Sequence, residues 1–367
     1  MSPSPPSSIR WSSRPTKTPS YLQDFHVEAS LPSRLPPSSS TNVVLPSGNS
    51  LKDIMDTKQF LSSHFKLKDM GQLKYFLGIE VARSKQGIAL CQRKYALEIL
   101  EDTGFLGAKS SRFPVNQSIS LTQTNGDLLD DPSQYCRLVG RLIYLTITRL
   151  DLVYVIHLLS QFMDKPKKPH LEAAHKVLRY IKQAPEQGIL LPSTGSLELR
   201  AYCDADWARC KDTRRSVPRY CILFGNAPIS WKTKKQSTVA RSSAEAEYRS
   251  MATTCCEVTW LRNILKDLNV NHTQLVRLFC DNQAAIHIAS NPVFHECTKH
   301  IEINCHVVLE KVQRGIVKTA YVRTKEQPAD LFTKPLSSIQ FEALLRKLSV
   351  INIHSNLRGS IEGKNPM

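Results

Sequence analysis

No two of the ten cysteines in this 367-residue chain are spaced Cys-x-x-Cys, and none belongs to a small secreted framework. Free thiols in a reducing compartment are the simplest account of them. No amino-terminal stretch joins a basic start to an unbroken apolar run, so no secretory signal is expected. The most hydrophobic segment, residues 142–159, is broken by Arg149 and Asp151. It is also shorter than the about 20 apolar residues that a membrane span needs. Two buried helices are expected there, in a soluble intracellular chain of the cytoplasm or nucleus with no membrane partner. A Gly-rich phosphate loop is missing, and so is any Ser-His-Asp or Cys-His grouping. Acidic residues are outnumbered, 32 against 49 basic, for a formal charge of +17. Once membranes are set aside, that balance points to nucleic acid as the partner.

The chain is long enough for two domains with a sizeable core. Residues 1–50 are dominated by Ser and Pro with few large apolar side chains, a composition that cannot repay its ordering entropy. A disordered, mildly basic arm is expected (Arg10, Arg14, Lys17, Arg34). Over 51–190 the texture is globular. A helix is expected from Leu51 to Phe65, with Ile54, Phe60, Leu61 and Phe65 available for one side. A strand pair turning near residues 84–86 follows, then a helix over 93–103. Two or three further helices fall between Gln134 and Gln183, interrupted at Pro166-Lys167-Lys168-Pro169. Residues 185–195 read as a turn-rich boundary. Beyond it, three short strands, a long helix and then alternating strands and helices predict an α/β layer with helices on both faces of a mixed sheet. The first of these strands alternates Leu197, Leu199, Ala201 and Cys203 with Glu198, Arg200, Tyr202 and Asp204, which predicts one buried and one open face.

Four short phrases place carboxylates at strand ends or in the first turns of helices. They are Tyr202-Cys203-Asp204-Ala205-Asp206-Trp207, Ser242-Ser243-Ala244-Glu245-Ala246-Glu247-Tyr248, Cys280-Asp281-Asn282-Gln283 and Gln327-Pro328-Ala329-Asp330. Ser242 with Glu245 three residues later is a capping-box pattern, which gives Glu245 a structural task. Glu247 lies one turn before Met251 on the apolar stripe of the same helix and must point inward, where an unpaired charge is costly. A buried arginine or a metal would each answer that cost. Asp204 and Asp206 share one strand face, so periodicity does not rank them. Asp281 and Asp330, at helix starts, would each pass for a cap. Taken together, converging carboxylates suit hard cations, Mg²⁺ or Mn²⁺. Two such ions about 3.5–4 Å apart can grip a phosphodiester. His295, Cys297, His300, Cys305 and His306 are zinc-type donors, but their spacing matches no compact finger, and ordinary polar and packing roles are expected.

Residues from about 197 to 336 resemble the ribonuclease H domain of copia-type long-terminal-repeat retrotransposons. Asp-Ala-Asp-Trp, Ser-Trp-Lys-Thr-Lys-Lys-Gln, Glu-Ala-Glu-Tyr, Cys-Asp-Asn-Gln, Thr-Lys-His-Ile and Ala-Asp-Leu-Phe-Thr-Lys-Pro carry the likeness in order and spacing. It implies a ribonuclease H-like domain over 197–350, a flexible tail over 351–367, and hydrolysis of the RNA strand of an RNA/DNA hybrid with two Mg²⁺ or Mn²⁺ ions. By position, the catalytic and metal-binding carboxylates would be Asp204, Glu247, Asp281 and Asp330, with Asp206 just outside them. Upstream, Leu67-Lys68-Asp69-Met70-Gly71-Gln72-Leu73-Lys74-Tyr75-Phe76-Leu77-Gly78 and Leu138-Val139-Gly140-Arg141-Leu142-Ile143-Tyr144-Leu145 resemble the palm end, thumb and connection of the same polyprotein's reverse transcriptase. The Tyr-x-Asp-Asp signature is missing, so residues 51–190 read as a truncated remnant without polymerase chemistry of their own.

Two departures accompany the likeness. Arg209 stands where the family usually has glycine after Asp-Ala-Asp-Trp-Ala. Ser216-Val217-Pro218-Arg219-Tyr220 replaces a Ser-Thr-Ser-Gly-Tyr turn. A lost ladder donor at Pro218 and a resisted positive backbone angle at Arg219 are the expected consequences. For substrate contact, Lys232, Lys234, Lys235 and Arg241 form a basic hairpin near the acids, suited to phosphate or else merely solvated. Asn282 and Gln283 suit a 2′-hydroxyl or base edge, or a helix cap. Lys299 and His300 follow the same logic. A hybrid-cleaving nuclease, a catalytically idle nucleic-acid-binding remnant, and a reverse-transcriptase fragment needing a full-length partner for its palm are the three resulting readings.

Overall fold

The computed structural model describes residues 51–116, 121–270, 272–290 and 302–352. The expected arm over 1–50, most of the tail, Lys299 and His300 lie outside them.

The first helix, α1 (Leu51–His64), leads into a meander of β1 (Tyr75–Phe76), β2 (Ile79–Ser84) and β3 (Gly87–Cys91), all antiparallel. The side of α1 that promised burial stays open, for Phe60 and Phe65 are exposed. Four helices follow: α2 (Arg93–Asp102), α3 (Pro132–Leu145), α4 (Val153–Ser160) and α5 (Lys168–Gln183). Asp131 caps α3 by accepting from the Ser133 N–H, with Pro132 in the first turn where its missing donor costs nothing. Leu142, Leu145, Ile156, Leu159, Val177 and Ile181 close a core between these helices. The residues that interrupt the apolar run 142–159 pair with each other. Arg149 Nη2 donates to Asp151 Oδ2 at 2.8 Å, and both side chains are buried. The same guanidinium donates to the Ala184 carbonyl at 2.9 Å and lies 5.5 Å from the Tyr180 ring centre.

Residues 185–195, expected to be turn-rich, instead supply β4 (Gln187–Pro192), because Gly188-Ile189-Leu190-Leu191 is an apolar run fit to be covered on both edges. It pairs antiparallel with β3 on one side and β10 (Val350–Asn352) on the other, giving the order β1-β2-β3-β4-β10. Gly188 is required by this pairing, since a Cβ there would meet the Leu90 carbonyl oxygen at 2.1 Å. Ile351 and Asn352, read from sequence as tail, are therefore sheet residues.

The second sheet carries β5 (Leu199–Asp206), β6 (Val217–Phe224) and β7 (Ala227–Thr233) as an antiparallel meander. Then β8 (Val276–Cys280) runs parallel to β5 and β9 (Val317–Tyr321) parallel to β8, in the order β7-β6-β5-β8-β9. One face packs against α6 (Ser243–Asp267), α7 (Gln283–Ser290) and α8 (Glu302–Gln313) through Met251, Cys255, Val258, Ala285 and Val308. The other face is covered by Phe332 from a 3₁₀ turn (Pro328–Phe332), by Leu344 of α9 (Ser338–Lys347) and Leu348 just after it, and by Leu150 and the first residue of α4, Val153. The mixed five-stranded, ribonuclease H-like layer with helices on both faces is thus present. Strand β5 is buried on both sides rather than one, because Tyr202 also finds a core. All described residues belong to one compact unit, and no helix among them is long and apolar enough to cross a membrane.

Candidate functional site

The four acids singled out by sequence come from four elements and gather as two groups, Glu247 with Asp281 beside Cys280, and Asp204 with Asp330 around shared cations. Asp204 stands near the end of β5. Glu247 faces it from the second turn of α6. Asp281 follows β8 directly, and Asp330 sits in the 3₁₀ turn. The start of α6 is fixed by Ser242, whose hydroxyl accepts from the Glu245 N–H at 3.1 Å, while Glu245 reaches back to the Arg241 N–H at 2.7 Å. That anchoring turns Glu247 inward, where it is 4% exposed. Its Oε1 accepts from the Ala205 N–H at 3.1 Å, and the Cys280 thiol lies 3.7 Å from Oε2. Ligand atoms of Glu247, Cys280 and Asp281 lie within 4.8 Å of one another. Asp281 accepts from the Thr324 hydroxyl at 2.9 Å.

The placing of Asp330 differs from the expected first turn of the last helix. Pro335 cannot continue a helix and disfavours helical backbone at Lys334, so the turn ends and α9 begins anew at Ser338. Gln327 ties the turn to β5 by donating to the Cys203 carbonyl at 2.9 Å.

At the centre of the acids is a side chain. Arg219 lies directly across from Asp204 in the β5–β6 register, and its guanidinium is fully buried. Its Nη2 donates to Asp204 Oδ2 and to Asp330 Oδ1 at 3.2 Å, with Asp206 Oδ1 at 3.4 Å. The Nε and Nη1 atoms have no acceptor among the described residues. Lys334 adds a second cation, its ammonium 2.9 Å from Asp330 Oδ1 and 3.9 Å from Asp204 Oδ2. Burial pulls the Arg219 guanidinium down to about 10, opposed by Asp330, Glu247 and Asp281. Burial also pushes the Glu247 carboxyl well above its ordinary range, helped by Cys280, and raises Asp206. The positive backbone angle at issue for Arg219 does not arise, because the residue is extended within β6. What distinguishes position 219 is its charge.

A family model described as reverse transcriptase (RNA-dependent DNA polymerase) matches residues 41–117. The retrovirus-related Pol polyprotein from transposon RE2 of Arabidopsis thaliana is 41% identical over 86% of this chain. That from transposon RE1 of the same plant is 41% identical over 84%. Over most of its own length the chain is similar to the Pol polyproteins of copia-type retrotransposons. It spans 22% and 21% of the length of those two relatives. Among solved structures, the N-terminal RNase H domain of rv2228c from Mycobacterium tuberculosis, in a fusion with maltose-binding protein, aligns over 98% of its own chain and 41% of this one. The TM-score is 0.28 and the identity 10%.

A two-ion centre requires carboxylate oxygens free to converge on hard cations. Here one oxygen of Asp204, Oδ2, and one of Asp330, Oδ1, are taken by Arg219, and Lys334 also holds Asp330 Oδ1. The residues present therefore do not fit a divalent pair, although Glu247 and Asp281, with Cys280, remain close to one another.

The basic residues divide. Lys232 and Lys234 are exposed, and an open groove of about 560 Å³ runs from Arg219 past them to Lys235 and Arg249. The Lys235 ammonium is held by Gln161 Oε1 at 3.2 Å and lies 3.5 Å from the Cys210 sulfur. Arg241 is exposed beside the start of α6. Asn282 caps α7, its Oδ1 accepting from the Ala285 N–H at 3.0 Å, while Gln283 is exposed on the first turn. Sequence reading treated Arg219 as a backbone matter and passed over Lys334. Pairing the strand around Arg219 with the strand ending at Asp204–Asp206 would have set Arg219 across from Asp204, since facing residues of antiparallel neighbours share a sheet face.

Proposed function

We propose that this chain is a ribonuclease H-type module that binds RNA/DNA hybrids along the basic groove beside its four-acid centre, and that it does so without cutting the RNA strand. Metal-assisted hydrolysis is the reaction such a set of acids would serve with two Mg²⁺ or Mn²⁺ ions. The observation that favours binding over cleavage is the Arg219 guanidinium bonded to both Asp204 and Asp330. The groove beside it keeps Lys232 and Lys234 open for phosphate oxygens, and exposed Gln283 is available to a 2′-hydroxyl. Fluorescence anisotropy with labelled hybrid, with gel analysis of the same samples in Mg²⁺, tests both halves. Saturable hybrid binding with intact RNA is the expected result. Absence of binding at low salt would refute the module, and Mg²⁺-dependent cleavage that Asp281→Asn abolishes would refute its idleness.

A second reading concerns residues 51–190. Phe60, Phe65, Met70, Phe76 and Leu77 are all exposed, as they would be if a larger body covered this edge. A full-length reverse transcriptase is the partner proposed, and primer extension by that enzyme with and without this chain tests it. An unchanged extension rate counts against this partnership.

A further inference from the structure

We propose that the Arg219 guanidinium, backed by the Lys334 ammonium, is the resident cation of the acid cluster and that its charge closes the site to divalent metal. The inference rests on the ribonuclease H-type reading of the four acids. It adds that one side chain of this chain decides what they hold. Register makes the placement obligatory. Arg219 pairs with Asp204 along eight consecutive partners of β5 and β6, so the side chain leaves the sheet beside the aspartate. The Ser250 hydroxyl, 3.0 Å from the Asp204 carbonyl and 2.9 Å from the Arg219 carbonyl, clamps the two residues together from α6.

The fit of the guanidinium is that of a tenant. A planar fork matched to its acceptors engages carboxylates with parallel bonds from two nitrogens. Here Nη2 alone serves Asp204, Asp330 and Asp206, while the buried Nε and Nη1 find no acceptor among the described residues. Oxygens from separate elements converging on one point are the arrangement that a compact cation rewards. Arginine meets that demand with a single nitrogen. Its charge cannot be shed at any ordinary pH, and it is too deep to swing into solvent without opening the β5–β6 pair.

A divalent ion entering this cluster would sit within a few ångströms of a fixed positive charge in a water-poor site. At such separations the repulsion corresponds to a loss of affinity of at least about a hundredfold. Removal of the charge should reverse that loss, and the acids, left facing one another, should then depend on metal for stability.

The full chain is titrated with Mn²⁺, following free ion by electron paramagnetic resonance, and its melting is measured in chelator and in Mg²⁺. Wild type is expected to show no saturable Mn²⁺ binding and one melting temperature in both buffers. Arg219→Gln, which keeps much of the volume without the charge, and Arg219→Gly should bind Mn²⁺ at least about a hundredfold more tightly. Both should melt lower in chelator and recover in Mg²⁺, and a second substitution, Asp281→Asn, should cancel the gain. Natively melting variants with no Mn²⁺ affinity would overturn the inference. Should neither variant fold, the wild-type titration decides alone: saturable Mn²⁺ binding that Asp281→Asn abolishes overturns it, and absence of binding supports it. Hybrid binding measured on the same samples stands apart, since its loss would sink the nucleic-acid reading and leave the metal result untouched.

Discussion

Three neighbouring lysines in the groove beside the acids should behave differently toward nucleic acid. Lys232 and Lys234 are exposed, whereas the Lys235 ammonium is held by Gln161 and lies against the Cys210 sulfur. Each ammonium that neutralises a phosphate releases counterions and adds about 0.9 to the slope of log K against log salt. Replacing Lys232 and Lys234 together by alanine should therefore flatten the slope by about 2 and weaken hybrid binding by about tenfold per lost contact near 0.1 M salt. Lys235→Ala should leave the slope nearly unchanged, because that ammonium is already held in place by the Gln161 amide oxygen. Anisotropy titrations of one labelled hybrid across a salt series read both quantities. An equal slope for wild type and the double variant, or an equal loss for Lys235→Ala, would refute the assignment of the groove.

Two further predictions concern stability. Asp151→Ala leaves the Arg149 guanidinium buried without its carboxylate and should cost about 3–5 kcal/mol in chemical unfolding. A loss under about 1 kcal/mol would mean that the Ala184 carbonyl and Tyr180 suffice to hold the charge. His157 is held neutral, its pKa pulled down to about 4 first by burial and then by the Lys235 charge. The unfolded chain, with an ordinary imidazole near 6.5, takes up the proton first. The stability present above that value should therefore fall as pH drops from about 6.5 towards 4, by roughly 2–3 kcal/mol. His157→Gln should remove this part of the acid sensitivity, and matching unfolding curves for wild type and variant at pH 7.5 and 4.5 would contradict it.

The order of strands and helices after residue 197 was legible because each element carries its own period and punctuation. The stripe Met251, Cys255, Val258, Leu261 and Leu265 is buried along α6, although Leu268, next in that series, is exposed past the helix end. The inward turn of Glu247 followed from the same phase. Less legible were features decided by neighbours distant in sequence. Strand β4 looked like a turn-rich boundary because its apolar run is flanked by Pro185 and Gly195, and only pairing with β3 and β10 makes it a strand. The second buried face of β5 depends on residues 328–348 folding back over it. Arg219 was noticed, but its meaning lies in a cross-strand partner fifteen residues away rather than in its own backbone.

The pairing of Val350, Ile351 and Asn352 with Ile189, Gly188 and Gln187 governs how this protein can be taken apart. A fragment trimmed to the second sheet and its helices would carry β10 without the strand it completes. The residue-51-to-190 piece left behind would present β4 as a raw edge, open to the next chain's backbone. Dissection therefore yields sticky halves, and a faithful laboratory version must run unbroken from the β2–β3 hairpin through Asn352.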